Sequence, residues 1–143
     1  MRTFPPLWGF TWQFENSWIK TAEPLPGKPN TYYVTSKFQT VWDEHFKLTK
    51  GNVIRFDINV MDYSQSNSAN KKKLLNGYTN LCLWAKRNHA WLFPVLGKIG
   101  DWSRYKNRKY ANAVGPFVSD LARMVLRTDA DAYKRIVVFQ VEN

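Results

Sequence analysis

The residues best suited to chemistry in this sequence are the lysines, arginines and aromatic rings that lie close together between residues 63 and 110. This segment holds ten Lys or Arg residues against one acid, Asp101, together with eight Trp, Tyr or Phe residues. Cationic side chains displace counterions from phosphates, and flat rings stack on bases for about 1–3 kcal/mol each. The combination is typical of a surface that binds RNA or single-stranded DNA.

Three clusters make up this basic and aromatic segment: a triple lysine, a short polar tip, and a run in which cations and rings alternate. The residues predicted to contact nucleic acid are Lys71, Lys72, Lys73, Lys86, Arg87, His89, Trp102, Arg104, Tyr105, Lys106, Arg108, Lys109 and Tyr110. Within them, Trp102, Tyr105 and Tyr110 are expected to be exposed stacking rings, because binding side chains are often carried on loops. Trp84 and Trp91 lie in predicted strands and are expected to be core residues. The alternative is an ordinary solvated surface with the rings buried beneath it.

The two histidines suggest a second function, that of a small metal-independent ribonuclease. Two imidazoles can act as base and acid on RNA, while a lysine stabilises the developing negative charge on phosphorus. His45, His89 and a lysine such as Lys86 are the candidates for these roles. His45 lies among apolar residues at helical spacing, which equally fits a structural residue, and nothing in the sequence brings the two rings together.

Other kinds of reactive site have no pattern to support them. The sequence contains no Cys pair, no His-x-His and no H-E-x-x-H, so no metal site is predicted. The glycines form neither of the common phosphate-binding loops, and we expect no cofactor. Cys82 stands between two leucines and is interpreted as a buried structural residue. The sequence therefore favours a binding protein over an enzyme.

A third function is an interaction or assembly protein, such as a viral or phage factor, whose basic face docks an acidic protein partner. No membrane partner is expected, because the longest apolar stretch, near Ala90–Leu96, is far shorter than the ~20 residues of a membrane span. The N-terminus lacks the pattern of a signal peptide, and one cysteine cannot form an internal disulfide. These features predict a reducing intracellular location, the cytoplasm or, for a viral protein, the host cytoplasm.

The charge is strongly segregated along a chain whose 143 residues fit a single domain, residues 1–143. The formal net charge is +10, yet residues 1–62 carry seven cations against six acids and residues 111–143 carry four against four. A concentrated charge of this kind raises a local potential that attracts polyanions. The pattern predicts one basic surface on a nearly neutral scaffold.

The elements that must position this surface follow from hydrophobic periodicity. Alternation predicts strands in 7–20, 52–63, 81–85, 90–95 and 134–141, with 81–85 and 90–95 joined as a hairpin through residues 86–89. Helical spacing predicts one helix over 35–48 and a second that begins at Gly115-Pro116. Residues 64–73 are polar and are predicted to form a long loop. These elements indicate an α+β fold with a mostly antiparallel sheet of about five strands and two helices.

Overall fold

A computed structural model describes residues 5–12, 24–25, 28–32, 36–97 and 108–141. The strands within these ranges are β1 (Gly9–Trp12), β2 (Pro24–Leu25), β3 (Lys28–Tyr32), β4 (Val53–Ile58), β5 (Trp91–Leu96) and β6 (Gln140–Val141). The helices are α1 (Ser36–Thr49), α2 (Val60–Gln65), α3 (Ser68–Arg87), α4 (Arg108–Thr128) and α5 (Ala130–Tyr133).

The main sheet is parallel, so the prediction of a mostly antiparallel sheet of about five strands with two helices is wrong. Its strands lie in the order β1, β4, β5, β6, and every pair of neighbours runs in the same direction. Only the small β2–β3 pair is antiparallel among the described strands. Parallel neighbours need a long crossover rather than a hairpin, and α3 and α4 supply those crossovers.

The helices α3 and α4 pack on one face of this sheet. Right-handed crossovers in a sheet whose strands follow chain order place successive helices on the same side. The core agrees with this rule, because Ile54, Phe56 and Ile58 of β4 and Leu92 and Leu96 of β5 are at most 2% exposed. Side chains of α3 and α4 meet this face of the two central strands, and the sheet with its helices forms one hydrophobic core.

Helix α3 corrects two sequence predictions at once. Residues 64–73 were predicted to be a loop, but α3 begins at Ser68 with Asn67 as its N-cap, whose side chain accepts a hydrogen bond from the Asn70 N–H. Residues 81–85 were predicted to be a strand, and they form the buried second half of the same helix. The hairpin predicted at residues 86–89 is therefore the end of a helix.

The helix predicted to begin at Gly115-Pro116 begins seven residues earlier, at Arg108. Buried residues at positions 110, 113, 117, 121 and 125 continue one helical stripe across the proline, and their burial outweighs the backbone hydrogen bond that Pro116 cannot make. Helical spacing predicts a buried stripe of Phe117, Leu121, Met124 and Val125 for this helix; Phe117, Leu121 and Val125 are confirmed as core, and Met124 is half-buried against it. The strand predicted over 134–141 is reduced to β6 and a single bridge between Leu92 and Ile136.

Several local predictions are confirmed. The helix predicted over 35–48 is α1. The strand predicted over 52–63 is confirmed only over β4, and its second half is wrong because α2 begins at Val60. The strand predicted over 90–95 is β5. Trp84 and Cys82 are buried as expected, with 3% and 2% of their surface exposed. Of the strand predicted over 7–20, β1 forms part, and residues 13–20 lie outside the described ranges.

Two glycines allow β1 to lie close to β4. A Cβ on Gly9 would overlap the backbone carbonyl oxygen of Val53, its partner in the register. A Cβ on Gly51 would stand 2.9 Å from the Gly9 Cα, closer than side chains approach a backbone. The edge strand can therefore pair with β4 only because both positions lack a side chain.

Among the described helices, none combines the length and apolar character needed to cross a membrane.

Candidate nucleic-acid interface

Helix α3 carries two of the three predicted basic clusters, and it holds them apart. Lys71, Lys72 and Lys73 lie in its first turns, whereas Lys86 and Arg87 lie in its last turn. At a rise of 1.5 Å per residue, Lys72 and Lys86, which are fourteen positions apart, are separated by about 21 Å along the helix axis. These two clusters therefore face opposite ends of the sheet.

The direction of α4 decides where the third cluster lies. The Tyr78 ring of α3 meets the Phe117 ring of α4 edge to face at 5.8 Å between centroids. Two turns further along α3, Lys86 meets Asp129, the residue that follows the end of α4. Contacts that advance along both helices together require the helices to run in the same direction. Their N-termini consequently lie at the same edge of the sheet.

That edge is the carboxyl edge, at which β4 ends with Ile58 and β5 ends with Leu96. The Tyr110 hydroxyl, in the first turn of α4, donates a hydrogen bond to the Leu96 carbonyl and holds the helix start against the end of β5. Packed helices lie about 8–10 Å apart. The fold thus brings together a group that we call the carboxyl-edge cluster: Lys71, Lys72, Lys73, Arg108 and Lys109. For Arg108 and Lys109 the structure describes the backbone position only.

A small network of polar groups lies beneath the lysines of this edge. The Lys71 ammonium is 5.5 Å from the centre of the Tyr63 ring, a cation–π contact. The Tyr63 hydroxyl donates a 2.7 Å hydrogen bond to Asp120 Oδ2. Burial, followed by this bond to Asp120, raises the pKa of Tyr63, so the phenol keeps its proton. Lys72 and Lys73 are exposed and project into solvent.

The backbone adds to the positive potential of the carboxyl edge. The first N–H groups of an α-helix have no partner within the helix, and the aligned peptide dipoles place about half a positive charge at that end. Both α3 and α4 present such an end here, and they have 20 and 21 residues respectively. Neither helix carries an acidic residue in its first turn. The two ends therefore suit phosphate oxygens.

The opposite, amino edge holds Lys86, Arg87 and His89, which we call the amino-edge cluster. The Lys86 ammonium donates a 2.6 Å hydrogen bond to Asp129 Oδ2, so its charge is already balanced by a carboxylate. Nearby, Lys134 forms a 2.6 Å ion pair with Asp131. The amino edge therefore has a weaker positive field than its count of cations suggests.

The position of His89 is set by helix termination. The Ala90 N–H donates to the Ala85 carbonyl and the His89 N–H donates to the Lys86 carbonyl, which together form a Schellman motif. His89 occupies the left-handed position of that motif with φ 55°, where glycine is usual. Its side chain is exposed, whereas the side chain of His45 in α1 lies outside the described part of the structure. The pairing of the two imidazoles as a ribonuclease centre stays a prediction.

The aromatic residues of the third cluster divide into two groups. Trp102 and Tyr105, with Arg104 and Lys106, lie outside the described residues. Tyr110 is 6% exposed, and the prediction that it is an exposed stacking ring is wrong. Tyr110 is the first residue of the buried stripe of α4, which continues to Ala113 and Phe117. This helical spacing is visible in the sequence.

Metal and thiol chemistry receive no support from the described side chains. In the ranges that the structure covers, no group of three or more His, Cys, Asp or Glu residues is arranged to hold a metal ion. Burial raises the pKa of Cys82 to about 12, which keeps the sulfur as an unreactive thiol at neutral pH. Asp57, at the carboxyl end of β4, is buried.

Comparisons with known proteins add no relative: no protein-family model, curated protein or solved structure matches the chain. Any function must therefore be argued from the charges, rings and backbone geometry of the chain itself.

Proposed function

We propose that this protein binds nucleic acid, RNA or single-stranded DNA, without catalysing a reaction. The phosphates of the nucleic acid contact the carboxyl-edge cluster. The observation that carries the proposal is the shared direction of α3 and α4, which follows from the Tyr78–Phe117 ring contact and the Lys86–Asp129 ion pair. Because of it, cations that are more than thirty residues apart in the chain meet at one edge. Phosphate binding needs this kind of convergence, since affinity grows with the number of phosphates neutralised.

The distribution of charge supports the carboxyl edge over the amino edge. Lys72 and Lys73 are exposed at the start of α3, beside a helix end that is itself positive. At the amino edge, Lys86 and Lys134 each form an ion pair at 2.6 Å. A polyanion approaching the amino edge would have to compete with Asp129 and Asp131, whereas Lys72 and Lys73 form no ion pair with another described residue.

The test is a binding titration with a variant that removes charge at the carboxyl edge. This edge variant carries Lys72→Gln, Lys73→Gln, Arg108→Gln and Lys109→Gln. A fluorescently labelled single-stranded oligonucleotide is titrated with the wild-type protein and with the edge variant at low salt. We expect at least a tenfold loss of affinity, because four phosphate contacts would weaken together.

A matched control variant removes the same charge elsewhere, from exposed cations away from the carboxyl edge: Lys47→Gln, Arg87→Gln, Arg127→Gln and Lys134→Gln. It has the same net charge as the edge variant, and so separates local contact from general attraction. We expect it to lose much less affinity than the edge variant. Equal losses, or no binding by the wild-type protein, would overturn the proposal.

The two other functions, a ribonuclease and an assembly protein, predict different results for the same purified protein. Cleavage of labelled RNA in EDTA, abolished by His45→Ala and His89→Ala, would indicate a ribonuclease. A purified sample that contains an acidic protein partner and has the absorbance ratio of pure protein would indicate an assembly protein. Either outcome, in place of salt-dependent oligonucleotide binding, contradicts the proposed function.

A further inference from the structure

The second face of the parallel sheet is partly accessible over the first half of β4 and β5, whereas Asp57 and Val95, further along the same face, are buried. Strand alternation places Val53 and Arg55 of β4, and Trp91 and Phe93 of β5, on this face. All four are half-buried, whereas Ile54 and Leu92 on the helix side are at most 1% exposed. The sheet therefore presents partly accessible side chains on the side away from these two helices.

Two aromatic rings and two guanidinium groups are combined on this second face. The Arg135 guanidinium lies 5.0 Å from the centre of the Trp91 ring, which is a cation–π contact. Arg55 is the direct partner of Phe93 in the register between β4 and β5, so the two side chains are neighbours about 5 Å apart across the strands. On the other side of Arg55 its partner is Thr11, a small exposed residue of β1.

The spacing of the rings suits successive bases. Trp91 and Phe93 are two residues apart on one strand, which places them about 6.6 Å apart along the same face. Rings in such a row offer separate platforms, and each stacked base contributes about 1–3 kcal/mol. The Arg135 guanidinium lies over the Trp91 ring, and both Arg135 and Arg55 have planar cationic groups that can contact phosphates or stack on bases. Asp57, the acid that continues this face along β4, is only 8% exposed.

We infer that this second face is a base-stacking platform for single-stranded nucleic acid, with Trp91 and Phe93 as the rings and Arg55 and Arg135 as the cations beside them. The inference rests on the proposed function, since the carboxyl-edge cluster supplies the phosphate contacts. It adds that the ligand is single-stranded, because the bases of a duplex are stacked on one another and cannot be splayed onto protein rings. Two arginines in a strongly basic chain favour this ligand over an apolar protein surface.

The experiment compares a single-stranded oligonucleotide with the duplex of the same sequence, for the wild-type protein and for Phe93→Leu. Leucine keeps an apolar side chain on β5 but removes the ring. We expect the wild-type protein to prefer the single strand, and Phe93→Leu to bind it about tenfold more weakly, which corresponds to one lost stacking contact. The affinity for the duplex should not change. Single strands of DNA and of RNA are both titrated.

Two further variants separate the loss of the Phe93 ring from other effects of a substitution. Phe46→Leu removes another partly exposed ring, on α1, and is expected to bind as the wild-type protein does. Arg55→Gln tests the same face without altering a ring, in case Phe93→Leu disturbs the fold, which circular dichroism and thermal unfolding would reveal. Arg55→Gln should also weaken single-strand binding severalfold.

Failure of the stacking platform and failure of the proposed function give different results. If the edge variant loses affinity while Phe93→Leu and Arg55→Gln both bind the single strand like the wild-type protein, the platform is wrong and the phosphate site stands. Equal wild-type affinity for single strand and duplex also overturns the platform. If the wild-type protein binds neither polymer, the proposed function itself fails.

Discussion

Lys86 and Asp129 join the ends of three helices through one carboxylate. The Lys86 ammonium, in the last turn of α3, donates a 2.6 Å hydrogen bond to Asp129 Oδ2. The Oδ1 atom of Asp129 accepts from the N–H groups of Asp131 and Ala132 and thereby caps α5. Since Asp129 directly follows α4, this contact holds the amino-edge ends of α3 and α4 in register. The Lys86–Asp129 contact therefore also determines which residues lie together at the N-termini of α3 and α4, at the carboxyl edge.

Substitution of Asp129 should separate its cap from its ion pair. Asp129→Ala removes both, and we expect the free energy of unfolding to fall by about 1 kcal/mol from the lost cap, with a further loss from the pair. Asp129→Asn keeps a good capping residue and loses the charge, so its effect should be smaller. Urea unfolding at neutral pH measures both variants. Equal stability of the two would contradict the assignment of a cap to Asp129.

The ion pair also predicts a dependence on pH. The Lys86 hydrogen bond, followed by the bond from the Ala132 N–H, lowers the pKa of Asp129 below its ordinary value of 3.8. The unfolded chain therefore takes up this proton before the folded chain does, and stability rises with pH in that range. The stability advantage of the wild-type protein over Asp129→Asn should be full above pH 3.8 and shrink as the pH falls through the folded pKa. Unfolding of both proteins is measured above and below that value, and a difference that stays constant with pH would contradict a stabilising role for the Asp129 charge, both in the Lys86 pair and in the cap of α5.

His89 predicts a stabilising substitution. It holds a left-handed φ of 55° at the end of α3, a conformation that strains a side-chain-bearing residue and suits glycine. We expect His89→Gly to raise the free energy of unfolding by about 0.5–1 kcal/mol. The control is Arg87→Gly, inside the last turn of the same helix, which should lower stability by about 1 kcal/mol. Thermal unfolding that gives both changes the same sign would contradict the Schellman geometry.

A substitution of Gly9 should be destabilising, because it disturbs the pairing of β1 with β4. An alanine Cβ there would overlap the Val53 carbonyl oxygen, so β1 would have to move, and we expect a loss of about 2 kcal/mol. Gly115→Ala is the matched control, because no described atom outside α4 and its chain neighbours lies within 4 Å of the new methyl group. There the gain in helix preference is opposed by the following Pro116, and a change below about 0.5 kcal/mol is expected. A tolerated Gly9→Ala would contradict the placement of β1.

Local pattern in the sequence was sufficient for some elements of the fold. The alternation of Ile54, Phe56 and Ile58 predicted β4 and its buried face, because one side of that strand packs on helices. It did not predict the parallel pairing, which depends on what lies between β4 and β5. That segment is α3, whose first turns are polar because they are exposed, and whose second half is buried on nearly all sides. Neither half shows the one-sided periodicity that identifies a helix at a surface.

The candidate site was predictable as a set of residues but not as a surface. Charge counting located the cations between residues 63 and 110. Their division between two edges of the sheet follows from the length of α3 and from its register with α4, which the Tyr78–Phe117 contact sets. A tertiary contact of this kind leaves no local pattern. The second face of the sheet was missed because Trp91 was assigned to the core, although it alternates with the buried Leu92.

The most direct measurement is the salt dependence of single-strand binding by the wild-type protein, the edge variant and the control variant. The logarithm of the association constant falls linearly with the logarithm of salt concentration, with a slope of about 0.7 for each phosphate neutralised on a single strand. If the carboxyl-edge cluster holds the phosphates, the edge variant should have a slope shallower by about 2 to 3, while the control variant keeps the wild-type slope. Equal slopes for the two variants, or a larger reduction in the control variant, would contradict a phosphate site at the carboxyl edge.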